Sequence, residues 1–225
     1  MGLPMVCLKE SSASQVIDCI CEVTRDMPAP LSVAMVKEYG KDPFIHLISC
    51  LLSLRAKDSK TIGVARALFS VVCTPQQLVD LPLHDLEKII YSIGFYKQKA
   101  RTIKAVSKQL IEQFGGKVPR TKQELLQLKG VGQKTANLVL STAFDIPAIC
   151  VDVHVHRLAN LLGLVHTKRP EETELALEKV LPKSYWIKTN EILVKLGQNI
   201  KKVAPRLPKD MQQQLAPLLH KKAYT

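Results

Sequence analysis

No cysteine follows Cys150 in this chain of 225 residues. The six present are Cys7, Cys19, Cys21, Cys50, Cys73 and Cys150, and their spacing matches no zinc pattern. Cys19 and Cys21 could supply two ligands, but reduced and mostly buried thiols are the expectation. Aromatics are scarce at 5%, which argues against an extended stacking platform for single strands. No apolar run approaches the roughly 20 residues needed to span a bilayer. The start, Met1 to Val6, lacks the basic residues and long apolar stretch of a secretory signal, and Val6 stands where a myristoylation signal wants Ser or Thr. A cytoplasmic or nuclear location is expected. Sustained period-two alternation, internal repeats, low-complexity tracts and long linkers are also missing, which disfavours β-rich, solenoid and disordered architectures.

Acidic residues are in short supply too. Twenty Asp and Glu face 32 Lys and Arg, giving a net charge of +12 and a pI near 9.5. A surplus that size points to a polyanionic partner, nucleic acid first and an anionic membrane surface second. From Lys183 onward nine basic residues face two acidic ones. The 46% hydrophobic and 23% charged content is otherwise that of a soluble globular protein long enough to bury a core.

What is present is helical periodicity. Val16, Ile17, Ile20 and Val23 recur at spacings of three and four over residues 14–24. Pro28 and Pro30 break the chain, and Pro43 opens a second apolar helix through Leu52. Asp58 or Ser59 can cap a third, to about Val72. Thr74-Pro75 and Leu81-Pro82 each read as a cap followed by proline at the first helical position. Further helices are expected over 85–92, 97–114, 121–126, 133–143, 151–162, 171–180 and 186–200. The fold class is all-α.

The chemistry concentrates in Leu128-Lys129-Gly130-Val131-Gly132-Gln133-Lys134-Thr135-Ala136, followed eighteen residues after the lysine by Asp152. Two glycines spaced by one residue permit a tight turn whose bare backbone approaches a ligand closely. The turn empties into a helix N-terminus, where unpaired N–H groups suit a phosphate. A plain helix–helix turn is the alternative. Lys134 is then a phosphate clamp or a nucleophile. A free lysine, with pKa about 10.4, is less than ~0.1% neutral at pH 7, so a nucleophilic role needs a dry pocket, nearby positive charge or a base. Asp152, after the apolar approach from Ile146 to Val151, is either that base or a helix N-cap, and one residue can serve both ways.

These residues, with Asn137 and Val151-Asp152-Val153-His154-Val155-His156-Arg157, resemble the helix-hairpin-helix and Gly-Pro-Asp signature of the endonuclease III family of DNA glycosylases. The resemblance runs roughly from Pro43 to Ile200. It takes in Leu51-Leu52-Ser53 with Asp58, Gly94-Phe95-Tyr96-Lys97-Gln98-Lys99-Ala100, Gly115 to Pro119, and Gly197-Gln198-Asn199. It implies two helical lobes with a DNA-binding cleft between them: a six-helix barrel lobe over 33–144 carrying the hairpin, and a second lobe from 1–32 plus 145–225. It implies a glycosylase with AP lyase activity, removing oxidised pyrimidines from duplex DNA and cleaving abasic sites by β-elimination. Lys134 matches the family's catalytic lysine and Asp152 its catalytic aspartate. Gly130, Val131, Gly132, Gln133 and Thr135 match the DNA-holding hairpin. The implied partner is double-stranded DNA with a damaged base or abasic site, bound by a monomer away from any membrane. A relative of different base specificity and a non-catalytic helix-hairpin-helix module are the competing readings.

Two departures from the family stand out. Arg55 occupies a wedge position where glutamine is common, beside Phe95 in the second wedge loop. Arginine reads guanine edges, though a phosphate contact would equally explain it. His154 is expected in the site wall or on a phosphate, with His156 and Arg157 structural. The other departure is the [4Fe-4S] cluster, which needs four thiolates. Lys201 stands at the first ligand position and Leu207 or Pro208 at the second, so neither a cluster nor any metal site is expected. Met211, Leu215, Leu218 and Leu219 suggest a docked helix instead.

Overall fold

A computed structural model describes residues 12–219; the expectations for Cys7, for the N-terminal residues and for Lys221 and Lys222 lie outside that range. Fourteen α-helices and one 3₁₀ turn make up the described residues, with no strand among them. No helix there is long and apolar enough to cross a membrane. Two compact units result. One comprises the chain up to Pro30 together with the chain from Pro147 onward, and the other is Leu31–Ile146.

The Leu31–Ile146 unit holds eight helices: α2 (Leu31–Tyr39), α3 (Pro43–Ser53), α4 (Asp58–Phe69), α5 (Pro75–Asp80), α6 (Leu83–Ile89), α7 (Tyr96–Phe114), α8 (Lys122–Leu125) and α9 (Gln133–Phe144). α2 has no counterpart in the sequence reading. It buries only Leu31 and Met35, too few apolar positions to show a period, and its first N–H donates to the Asp58 carboxylate 27 residues away (3.3 Å). Asp58 is therefore the first residue of α4, not its cap, and serves a neighbouring helix. That bond also draws the unit's boundary back to Leu31. At the other end Ile146 N–H donates to Leu140 O and Lys41 pairs with Asp145, so the unit runs two residues past 144.

Local chemistry explains most starts and stops. Asp42 caps α3 by accepting from Ile45 N–H, with Pro43 in the first turn. Thr74 and Gln77 form a reciprocal box ahead of Pro75. Each such cap is worth about 1 kcal/mol. Leu81-Pro82 behaves differently: Pro82 itself is the cap residue, and α6 begins at Leu83. Gly115, at φ +59°, ends α7 in the left-handed conformation that glycine adopts without cost. The core is the nearly continuous apolar α3, packed on α2, α4 and α9.

The second unit begins with α1 (Ala13–Val23), boxed by Ser12 and Gln15. It continues with α10 (Val153–Leu161), α11 (Pro170–Val180), α12 (Lys183–Gln198), α13 (Ile200–Val203), the 3₁₀ turn Ala204–Arg206 and α14 (Lys209–Leu219). Val16, Ile17, Ile20 and Val23 enter one core with Leu158, Leu177, Leu193 and Leu196. Each fully buried aliphatic side chain contributes roughly 1.5–3 kcal/mol. α14 docks there as its spacing suggested, burying Met211 and Leu215 completely with Leu218 packed alongside. Arg206 secures the approach by donating to Asp26 at 2.7 Å.

Candidate active site

The hairpin is built from a short turn of helix and two anchors. Thr121 caps α8, Leu128 N–H donates to Leu125 O, and Val131 N–H donates to Leu128 O. Leu128 and Val131 are buried. Gln109 on α7 grips the turn from outside, accepting from Lys129 N–H and donating to Gln127 O. The two glycines have different duties. Gly130 has φ +77°, and a Cβ there would lie 2.9 Å from the Thr102 methyl, so only glycine fits. Gly132 is extended and a Cβ on it would meet nothing; its bareness leaves the surface open rather than enabling the turn.

Gly132 is also the N-cap of α9, without a side-chain bond of its own. The first intrahelical bond runs from Ala136 N–H to Gly132 O. The N–H groups of Gln133, Lys134 and Thr135 therefore precede the helix ladder and form an anion-attracting end. Gly130, Gly132, Gln133 and Lys134 are exposed, whereas the Val131 and Thr135 side chains are buried and offer only backbone to a ligand. Lys134 stands in the first turn of α9, above α3. There burial pushes the Cys50 thiol up to about 12, with the Lys134 charge acting the other way.

Asp152 is half-buried and caps α10. Its Oδ1 accepts from both His154 N–H and Val155 N–H at 2.9 Å. Both cap bonds fall on one oxygen, Oδ1. The apolar approach to it is pinned by a residue that the sequence did not single out. Asn190, buried on α12, donates to Cys150 O at 2.9 Å.

His154 lies against α12 at Gly197. A Cβ on Gly197 would sit 2.3 Å from His154 Nδ1 and 2.8 Å from its Cγ. Gly197→Ala normally gains helix propensity of about 1 kcal/mol. Here it is expected instead to lower the melting temperature and to slow turnover several-fold by displacing His154. Adding His154→Ala should restore the melting temperature, which thermal denaturation of the single and double variants would measure. His156 bonds Thr173 through Nδ1 at 2.6 Å, a structural link within α10 and α11.

Arg55 and Phe95, the two wedge candidates, are exposed and share a backbone feature. They have φ of +54° and +60°, two of only three positive-φ residues other than glycine among those described. Such conformations cost about 1–3 kcal/mol and gather at functional sites.

At the positions where the resemblance implies cluster ligands, Lys201 lies exposed on α13, and Leu207 is buried in the core ahead of Pro208. Amine, aliphatic and imide groups supply no thiolate, so this donor set does not fit a [4Fe-4S] cluster. Among the described residues no group of three or more His, Cys, Asp or Glu could hold a metal ion.

An all-α chain with this hairpin has the make-up of a helix-hairpin-helix DNA-repair protein. The model of the HhH-GPD superfamily base excision DNA repair proteins matches residues 48–183. Endonuclease III of Thermotoga maritima is 48% identical over 159 residues, covering 71% of this chain and 75% of that protein. Endonuclease III of Bacillus subtilis is 40% identical over 167 residues, covering 73% and 76%. The structure of a trapped endonuclease III–DNA covalent intermediate with an estranged adenine matches with a TM-score of 0.78 at 32% identity, over 94% of this chain and all of that one. A non-covalent endonuclease III–DNA complex matches at 0.79, with the same identity and coverage. The chain belongs to the HhH-GPD superfamily and, within it, to the endonuclease III family. It is thus a base excision repair enzyme, a DNA glycosylase with AP lyase activity.

Proposed function

We propose that Lys134 is the nucleophile and Asp152 the assisting carboxylate in excising oxidised pyrimidines from duplex DNA and cutting the abasic strand. The observation that carries this reading is the position of Lys134: exposed, in the first turn of α9, directly behind a hairpin end that favours a phosphate. In this reading the lysine reaches the nucleotide whose phosphate the hairpin holds. The match to a covalently trapped endonuclease III–DNA intermediate supports duplex DNA as partner and a covalent step.

In this scheme the neutral Lys134 amine attacks deoxyribose C1′. The glycosidic C1′–N bond breaks, and the base departs with the electron pair and gains a proton. Loss of a proton from Nζ and opening of the sugar ring leave a protonated imine between Nζ and C1′. Removal of a C2′ proton gives an enamine, whose electrons expel the 3′ phosphate as the C3′–O bond breaks. Water then hydrolyses the imine and returns the amine. Asp152 accepts the amine proton and steadies positive charge on the sugar. The balance needs no redox partner and no metal.

The base must leave the stack first, at a cost of a few kcal/mol. Phe95 fills the vacated space in this reading, and Arg55 faces the estranged base, where guanine would suit it best. Gly130, Val131, Gly132, Gln133 and Thr135 hold backbone phosphate, and His154 lines the site. The enzyme would act as a monomer wherever the genome lies, at the nucleoid or in the nucleus. Borohydride trapping on abasic duplex DNA tests the scheme, because it converts the imine into a permanent protein–DNA bond.

We also read the chain as working without an iron–sulfur cluster, α13, the 3₁₀ turn and α14 supplying apolar packing where the relatives have the cluster loop. Purified protein is expected to be colourless and free of iron and sulfide, and Met211→Asp to cost about 3 kcal/mol or more of stability. A brown protein with stoichiometric iron would overturn this.

A further inference from the structure

Lys99 is a buried cation that the scheme above does not use. Its side chain is 7% exposed on α7, and Nζ donates at 2.7 Å to Leu52 O, 47 residues earlier. Leu52 lies in the last turn of α3, where carbonyls lack helical partners and the helix dipole favours a positive charge. Burial lowers the pKa of the Lys99 amine, and the charge-assisted bond to that carbonyl end offsets the desolvation. At the other end of the same residue, Lys99 N–H donates to Phe95 O at 2.9 Å, the first bond of the helix that Phe95 caps.

The turn after α3 carries Arg55 and the turn before α7 carries Phe95, both at positive φ. A Cβ added to Gly94 would stand 4.0 Å from Arg55 O, so the two turns run side by side. The Lys99 side chain thus ties the end of α3, three residues before Arg55, to the first turn of α7, whose opening backbone bond runs from Lys99 N–H to Phe95 O. We propose that Lys99 is a positioning residue that locks the Arg55 and Phe95 turns into one rigid pair, setting how the enzyme reads the strand opposite the lesion. This inference rests on the wedge roles proposed above for Arg55 and Phe95. Without the bond the strained turn at Arg55 relaxes, and arginine loses the fixed approach that base-edge recognition requires.

The test compares lyase rates of wild type and Lys99→Met on abasic duplexes with each of the four opposite bases, and on the abasic strand alone. A single strand offers no opposite base to read. The duplex kcat/KM is expected to fall at least about tenfold further than the single-strand value, and the spread across opposite bases to shrink. Lys99→Arg, which keeps a charged donor, should recover part of both. If Lys99→Met does not fold, Lys99→Gln decides by the same ratios. A parallel fall on both substrates, or an undiminished spread, would overturn the proposal and leave Lys99 a core-packing residue. Failure of the wedge reading shows separately, as an Arg55→Ala variant whose spread of duplex rates across the four opposite bases equals that of wild type.

Discussion

Lys134→Ala is expected to give no borohydride-trapped adduct on abasic duplex DNA and to lose strand cleavage by at least about a thousandfold. The reasoning is chemical. The trap records only an imine, an imine needs a primary amine, and Lys134 supplies one beside the hairpin end. Binding should survive, because Gly132, Gln133 and the backbone N–H groups remain. Removing one positive charge near phosphate should reduce the salt dependence of binding by about one counterion. Trapping by Lys134→Ala at the wild-type level would move the nucleophile to another amine. A wild type that never traps would end the lyase scheme for this residue.

The sequence made some parts of this molecule legible and hid others, for reasons that are physical. Helix starts with their own chemistry, such as Asp42-Pro43, Thr74-Pro75 and the Ser12 box, read directly because cap and helix are neighbours in the chain. α2 did not, since its stability comes from burying Met35 and from a carboxylate 27 residues away. The hairpin was visible as Gly-Val-Gly, but only Gly130 needs its conformational freedom. Lys99, Asn190 and Gly197 carried no local signal of their roles. Each acquires a function only when a distant segment arrives: the Leu52 carbonyl, the Cys150 carbonyl and the His154 ring. Arg55 and Phe95 gave residue identities without their conformation, because no glycine at either position signals the positive φ.

The second large effect is at Asp152, where the substitution must separate a cap from a catalyst. Asparagine does so, because it caps helices about as well as aspartate. An Asn side-chain oxygen can accept from His154 N–H and Val155 N–H as Oδ1 does now. Asp152→Asn should therefore melt within about 1 kcal/mol of wild type and bind damaged duplex at least as tightly, one negative charge having been removed from a site for a polyanion. Excision of an oxidised pyrimidine should nevertheless fall about a thousandfold or more, since an amide neither takes the amine proton nor steadies a cationic sugar. Asp152→Ala would add the loss of the cap, about 1 kcal/mol of stability, to the same catalytic loss. The comparison assigns the role. If Asn kept activity while Ala lost it together with stability, Asp152 would be a helix cap and nothing more. Equal catalytic loss in both, with stability falling only in Ala, identifies a carboxylate whose one oxygen builds the helix while the other does chemistry.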